Sequence, residues 1–165
     1  MVQFVKGNLL ESNCDYICHQ VNCQGKMNSG IAKQIREKWP VVYQNYMEKY
    51  NILNGVSGAL LGDIQIVGLW EDYYATDFHQ SVINMFSQEQ YGYDGRRYTS
   101  YDAFWNCLNL IKRTIPKGKT IGFPKKIGCD RGGANWPVIL EMITELLGVE
   151  YKVFIYYLEG DDGTY

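Results

Sequence analysis

Short strand-like runs alternate with segments of helical periodicity along the chain, and few folds accommodate that alternation. Six runs are rich in β-branched and aromatic residues and are bounded by turn signals. They are Val2–Lys6, Tyr16–Val21, Ile64–Val67, Ser81–Phe86, Thr120–Pro124 and Tyr151–Leu158. Because strands and helices interleave in the order β-β-α-β-β-α-β-α-β, we expect an α/β domain with a mixed sheet covered by helices on both faces.

Helical periodicity begins after Ser29, where apolar residues recur every three to four positions. Pro40 interrupts this repeat, and we expect it to kink or divide the segment. Thr99 is predicted to cap the next helix and Asn135 to cap the last one, since both residue types favour that position.

The size and charge of the chain indicate one mildly acidic domain. Its 165 residues fit a single domain, predicted over residues 1–165, with a frayed acidic tail at 160–165. The formal net charge of -2 argues against a general nucleic-acid binder, which normally shows a basic face. This net charge is compatible with the binding of one nucleotide that is held mainly by backbone groups.

The amino-terminal segment and the cysteines predict a cytoplasmic protein. No signal-peptide core follows Met1, and no apolar run approaches the ~20 residues of a membrane span. Cys14, Cys18 and Cys23 lie close together, but the second pair of ligands that a zinc site uses is missing. We therefore expect reduced thiols, with neither a metal nor a cofactor.

Two glycine-rich segments each connect a strand to a helix, at residues 22–32 and 128–135. Open α/β sheets bind ligands beyond the carboxyl ends of their strands. Glycine lets backbone N–H groups approach an anion, and a helix amino terminus adds partial positive charge. The pair therefore favours a diphosphate clamp, although both segments would also suit simple tight turns. Neither contains the dinucleotide fingerprint or the P-loop motif.

Four motifs in these segments and strands resemble macrodomains. They are residues 5–10 (VKGNLL), residues 18–23 (CHQVNC), residues 29–32 (SGIA), and residues 127–129 (IGC) followed by Trp136. The resemblance is strongest to the branch that holds terminal ADP-ribose protein glycohydrolases, antitoxin macrodomains acting on ADP-ribosylated DNA, and yeast ADP-ribose-1″-phosphate phosphatase. It implies a three-layer α/β/α macrodomain with a central mixed sheet of about six strands, and ADP-ribose or a derivative as ligand.

The resemblance also implies a role for particular positions in ligand binding. Adenine would lie against the first loop and an aromatic residue of the last strand, and Asn8 replaces the family's acidic residue there. The diphosphate would lie between the two glycine-rich segments, and the distal ribose beside Asn22. The full set of implied ligand-binding residues is Gly7, Asn8, Leu9, Asn22, Ser29, Gly30, Ile31, Ala32, Asn84, Gln88, Gly128, Cys129, Gly132, Gly133, Ala134 and Tyr157.

The catalytic residues of the glycohydrolase branch are replaced in this chain. Gln88 stands near the place of a nucleophilic lysine, and Gly132 stands at the place of an assisting aspartate. We therefore expect His19 and Asp130 to transfer protons, since imidazole and carboxylate are common acid–base groups. His19 equally fits a hydrogen-bonded core residue, and Asp130 equally fits a solvated ion pair with Arg131.

The resemblance implies an enzyme that hydrolyses an ADP-ribose derivative. The candidate reactions are dephosphorylation of ADP-ribose 1″-phosphate and removal of ADP-ribose from a protein or a nucleic acid. The alternative is a reader that binds ADP-ribose without chemistry, and a third reading is a nucleotide-fold protein with another small ligand. The tyrosine- and arginine-rich segment at 91–98 fits either a flap over the site or a plain connector.

Overall fold

The elements of the chain follow the predicted alternation. The computed structural model describes residues 1–53, 56, 58–69 and 79–160. The strands are β1 (Val2–Lys6), β2 (Tyr16–Asn22), β3 (Ile64–Gly68), β4 (Ser81–Gln88), β5 (Thr120–Pro124) and β6 (Lys152–Tyr157). The helices are α1 (Gly30–Lys38), α2 (Pro40–Leu53), α3 (Tyr101–Thr114) and α4 (Trp136–Leu147), with a short 3-10 helix at Leu9–Glu11.

One six-stranded sheet runs through the centre of the molecule in the order β1-β6-β5-β2-β4-β3. The first five strands in that order are mutually parallel, and β3 pairs antiparallel with β4. The carboxyl ends of the parallel strands therefore share one edge. Loops that follow β1, β6, β5 and β2 meet there, although they are far apart in sequence.

A hydrophobic core lies on each face of the sheet. On one face Phe104 of α3 and Ile139 of α4 are buried with Ile121 of the sheet. On the other face, Ile35 of α1 and Tyr46 of α2 belong to a second buried cluster. These layers confirm the predicted α/β/α fold with its mixed sheet.

The helix boundaries confirm one local prediction and correct another. The long helical segment is divided, since α1 ends before Trp39 and α2 begins at Pro40. Ser100 rather than Thr99 caps α3, because its Oγ accepts from the backbone N–H of Ala103 at 3.2 Å. Asn135 caps α4 as predicted, with Oδ1 accepting from the N–H of Val138 at 3.3 Å.

One short element was not predicted, and one predicted segment lies outside the described residues. The 3-10 helix at Leu9–Glu11 is absent from the predicted order of elements, since a single turn leaves no periodic signal. Beyond Gly160, the predicted frayed tail lies outside the described residues. No helix in the described part of the chain has the length and apolar character needed to cross a bilayer.

Candidate functional site

A cavity of about 550 Å³ lies at the carboxyl edge of the sheet. Its walls come from the loop after β1, the end of β6, the loop after β5, the end of β2 and the first turn of α1. This is where an open α/β sheet binds ligands. The predicted site residues that line the cavity are Gly7, Asn8, Leu9, Ser29, Gly30, Ile31, Ala32, Gly128, Asp130, Gly132 and Tyr157.

The amino terminus of α1 presents unsatisfied backbone donors to the cavity. Ser29 stands at the cap position, but its side chain makes no capping hydrogen bond, and the first turn carries no acidic residue. Gly30 has a φ of 57°, and a Cβ added there would meet no atom within 4 Å. The first-turn N–H groups are therefore open to an anion, which the helix dipole also favours.

The loop after β5 is held in a closed turn by its own backbone. The N–H of Ala134 donates to the carbonyl of Gly128 at 3.0 Å, and the N–H of Gly133 donates to that of Asp130 at 3.1 Å. A Cβ on Gly132 would lie 2.4 Å from the carbonyl oxygen of Gly128, so only glycine fits there. This closure keeps the loop against the cavity.

A polar network anchors the same loop to β2. Gln20 Nε2 donates to Thr99 Oγ1 at 2.9 Å, and that hydroxyl donates to the carbonyl of Gly128 at 2.8 Å. The backbone N–H of Thr99 donates to the carbonyl of Gly132 at 2.9 Å. Gln20 itself lines the cavity. Thr99, predicted as a helix cap, therefore acts as the link between the loop and the sheet.

The cavity lining is cationic although the whole chain is acidic. Among the residues that the structure describes, Lys125, Lys126 and Arg131 line it together with one carboxylate, that of Asp130. The formal net charge of the chain is -2. Positively charged side chains beside the uncapped amino terminus of α1 favour an anionic ligand.

The end of the cavity at β1 and β6 is aromatic and apolar. The N–H of Gly7 donates to the carbonyl of Tyr157 at 2.9 Å, which brings the two strand ends together. Leu9 and Leu158 line this end, and the Lys125 ammonium lies 5.7 Å from the centre of the Tyr157 ring. A flat aromatic group of a ligand would find its apolar contacts here.

His19 lies in the core, and the prediction that it transfers protons at the site is corrected. Its side chain is fully buried and does not line the cavity. Its Nε2 lies 2.6 Å from Asn84 Oδ1, and Asn84 Nδ2 donates to Gln65 Oε1 at 3.0 Å. Burial lowers the pKa of His19 to about 4, so the ring is neutral at physiological pH. Asn84, also fully buried, is likewise removed from the ligand contacts.

Gln88 and Asn22 hold protein groups and do not line the cavity. Gln88 Oε1 accepts from Gln20 Nε2 at 2.6 Å. The side chain of Asn22 organises its own loop, since Oδ1 accepts from the N–H of Gln24 at 3.0 Å and Nδ2 donates to the carbonyl of Lys26 at 2.9 Å. Both were predicted ligand contacts, and this geometry engages their side chains elsewhere.

Three predicted contacts in the second loop also lie outside the cavity lining. Gly133 and Ala134 close the loop through the backbone bonds described above. The thiol of Cys129 donates to the carbonyl of Ile127 at 3.3 Å, and burial raises its pKa to about 11. An un-ionised thiol in this position shapes the turn and offers no nucleophile.

Several cavity residues were not predicted from the sequence. Gln20, Lys125, Lys126 and Arg131 line the cavity because of where β2 and β5 end. The sequence feature that could have indicated them is their position at a strand end or within the glycine-rich loop. Charge and polarity at those positions indicate a site only once the order of strands is known.

The segment at residues 91–98 touches the cavity through one of its lining residues. Arg131 lies with its guanidinium 4.6 Å from the centre of the Tyr93 ring, and its Nη1 donates to the Tyr93 hydroxyl at 3.2 Å. No residue of 91–98 lines the cavity itself. Within the described residues, no cluster of three His, Cys, Asp or Glu side chains is placed to hold a metal.

Known proteins resemble this chain at low sequence identity. No protein-family model matches it. A DNA ADP-ribosyl glycohydrolase of Thermus aquaticus is 26% identical over 159 residues, which cover 93% of this chain and 41% of the relative. The chain therefore spans about two fifths of that relative's length.

Solved structures resemble the chain more closely in fold than in sequence. The macrodomain of Thermus aquaticus DarG matches 95% of the chain and 98% of its own length, with a TM-score of 0.73 and 22% identity. Thermosipho africanus DarTG in complex with ADP-ribose matches 98% of the chain and 42% of its own length, with a TM-score of 0.76 and 19% identity.

Proposed function

The chain has the macrodomain fold, and on that premise we propose that its cavity binds ADP-ribose and that the protein hydrolyses ADP-ribose from a macromolecule. The observation that carries the proposal is the pairing of the uncapped amino terminus of α1 with the glycine-rich loop at residues 128–132 in the walls of one cationic cavity. A diphosphate bridges such a pair without a dedicated P-loop lysine. The solved DarTG structure, which holds ADP-ribose, and the Thermus glycohydrolase support the choice of ADP-ribose as the ligand.

The order of the strands sets the direction in which the ligand lies. The aromatic end at β1 and β6 would take adenine, and the loop after β5 with the amino terminus of α1 would take the diphosphate. The distal ribose would then extend toward the ends of β2 and β4. Neighbouring strands lie about 4.8 Å apart, so β1 and β2 are separated by roughly 14 Å, a span suited to an extended dinucleotide-like ligand.

Asp130 is the group that we assign to proton transfer. It provides the one carboxylate in the described cavity lining, and it lies in the loop that would hold the diphosphate. In the proposed step, water attacks the anomeric carbon of the distal ribose and gives a proton to Asp130. The bond between that carbon and the macromolecule breaks. The leaving atom of the macromolecule then takes up the proton that Asp130 received.

Substitution of Asp130 tests this assignment. We expect Asp130→Asn to lower the rate of ADP-ribose release by about 10²- to 10⁴-fold, the usual loss for a general acid or base. Affinity for ADP-ribose should change little. Single-turnover assays on ADP-ribosylated DNA and protein would measure this, with Glu141→Gln, an exposed carboxylate of α4, as the matched control. Equal rates in both variants would contradict the assignment.

A reader that binds without turnover is the second candidate function. Gln88 stands where the resemblance places a nucleophilic lysine. It does not line the cavity, and its amide oxygen accepts from Gln20, which does. Calorimetry with ADP-ribose, followed by turnover assays on ADP-ribose 1″-phosphate, ADP-ribosylated protein and ADP-ribosylated DNA, separates the two functions. Micromolar binding, roughly -8 kcal/mol, with no product from any substrate would establish the reader.

We also propose that the chain is one macrodomain over residues 1–165 and that it works in the cytoplasm. Its five cysteines are all free thiols, as is usual in a reducing compartment. Localisation of the tagged protein in its native cell would test the compartment. Limited proteolysis that leaves one stable fragment would support a single domain, and two stable fragments would contradict it.

A further inference from the structure

A chain of hydrogen bonds connects the end of the sheet to the glycine-rich loop after β5, and the direction of each bond is fixed. The carbonyl of Gly128 can only accept, so the proton of the Thr99 hydroxyl points to it, at 2.8 Å. The Gln20 atom that lies 2.9 Å from the same hydroxyl must then be the donor, Nε2. That Nε2 also donates to Gln88 Oε1 at 2.6 Å, and Gln20 Oε1 accepts from the Ser87 hydroxyl at 2.8 Å.

The amide of Gln20 is therefore fully engaged with the protein, although the residue lines the cavity. Both hydrogens of Nε2 have protein acceptors, which leaves no free N–H for a ligand. A Cβ on Gly128 would lie 2.8 Å from Gln20 Oε1, and a Cβ on Gly132 would lie 2.9 Å from Nε2. The amide thus packs directly against the backbone of the loop and supports it.

Thr99 holds this loop at two points. Its hydroxyl donates to the carbonyl of Gly128, and its backbone N–H donates to the carbonyl of Gly132 at 2.9 Å. The residue is 1% exposed and does not line the cavity, so it can act on a ligand only through the loop. Removing the hydroxyl would free the Gly128 point and leave the Gly132 point attached.

We propose that Gln20, Gln88 and Thr99 are positioning residues that set the affinity of the cavity for the diphosphate of its ligand. This inference rests on the proposed function, in which the loop after β5 takes the diphosphate. A loop that is held in place before binding loses little conformational entropy when the ligand arrives. The side chain of Gln88, at the place where the resemblance puts a nucleophilic lysine, here supports the loop through Gln20.

Thr99→Val tests the proposal with two ligands, ADP-ribose and adenosine. Valine keeps the branched shape of threonine but leaves the Gly128 carbonyl and Gln20 Nε2 without this partner. We expect the dissociation constant for ADP-ribose to rise by about ten- to a hundredfold, since a misplacement of about 1 Å in a binding site can cost that much. The dissociation constant for adenosine, which has no phosphate, should stay close to the wild-type value. NMR titrations measure both constants.

Thr99→Ser tests whether the hydroxyl is the group that matters. Serine keeps the hydroxyl that accepts from Gln20 and donates to Gly128, so we expect it to retain most of the wild-type affinity for ADP-ribose. A serine variant that binds ADP-ribose as weakly as the valine variant would contradict the proposal.

Thr120→Val is the matched control for lost stability. The Thr120 hydroxyl also accepts from one group and donates to another, the backbone N–H and the carboxylate of Asp15, each at 2.7 Å. Thr120 begins β5, at the end of the sheet away from the cavity. We expect this variant to have a lower melting temperature and an unchanged affinity for ADP-ribose.

Gln88→Met is a second variant, which removes the acceptor of Gln20 Nε2 and serves if Thr99→Val does not fold. It should shift the ratio of the two dissociation constants in the same direction. The proposal fails if the folded variant changes both constants by the same factor or changes neither, or if Thr120→Val weakens ADP-ribose binding as much. Wild-type protein that does not bind ADP-ribose would instead refute the proposed function.

Discussion

At the scale of single residues, burial decides which polar groups are available for chemistry. His19 and Asp130 were equal candidates in the sequence, since each is a titratable residue within or beside a motif. The structure places one in the core and the other in the cavity lining. A buried neutral imidazole can still act on the protein as a whole, because its charging is coupled to unfolding.

We predict that His19 makes the folded state sensitive to acid. Its pKa is about 4 in the folded protein, below the ordinary 6.5, because burial disfavours the charged ring. The unfolded chain therefore binds a proton first as pH falls. The contribution of neutral His19 to the free energy of unfolding is fully present above pH 6.5. It is lost as pH falls toward 4, by up to roughly 3 kcal/mol. Urea unfolding of wild type and His19→Gln across this range measures the difference, and parallel pH profiles would contradict it.

At the scale of elements, the contrast between helix amino termini is the most informative feature. Ser100 and Asn135 cap α3 and α4 with their side chains, whereas Ser29 leaves the first turn of α1 uncapped. All three residue types favour capping in a sequence. The glycine-rich loop in the sequence predicted where α1 begins. That the N–H groups of its first turn are uncapped could be seen only from the orientation of the Ser29 side chain in the structure.

We predict that Gly30→Glu removes ligand binding. The added carboxylate would enter the cavity where a diphosphate is expected, and like charges in close contact cost several kcal/mol. The dissociation constant for ADP-ribose should rise by about 100-fold or more. Gly118→Glu is the control, since Gly118 also has a positive φ, 83°, and open space around it, but it lies outside the cavity lining. Unchanged affinity in a folded Gly30→Glu protein would contradict the loop assignment.

At the scale of the whole molecule, the alternation of elements was sufficient to predict the layers and the six strands, but not the strand order. Local periodicity shows which residues face a core, and it carries no information about which strands become neighbours. The cationic lining follows from that order, because Lys125 and Arg131 reach the cavity from the loop after β5. The base end was predicted from Tyr157 and Asn8 through resemblance to macrodomains, while the hydrogen bond from the Leu10 N–H to Asn8 Oδ1 could be seen only in the folded loop.

We predict that ADP-ribose stabilises the folded protein as a whole. At a ligand concentration of 100 times the dissociation constant, binding adds about 2.7 kcal/mol to the free energy of unfolding. For a chain of this size the melting temperature should rise by roughly 5–10 °C. Thermal unfolding with increasing ADP-ribose measures the shift, and the Gly30→Glu protein should show none. If the melting temperature of the wild-type protein stays the same at saturating ADP-ribose, the proposed binding is contradicted.

The cavity draws its walls from residues as distant in sequence as Gly7 and Leu158. All of these walls are in place only when β6 lies between β1 and β5, so binding of the proposed ligand would report on the docking of that strand.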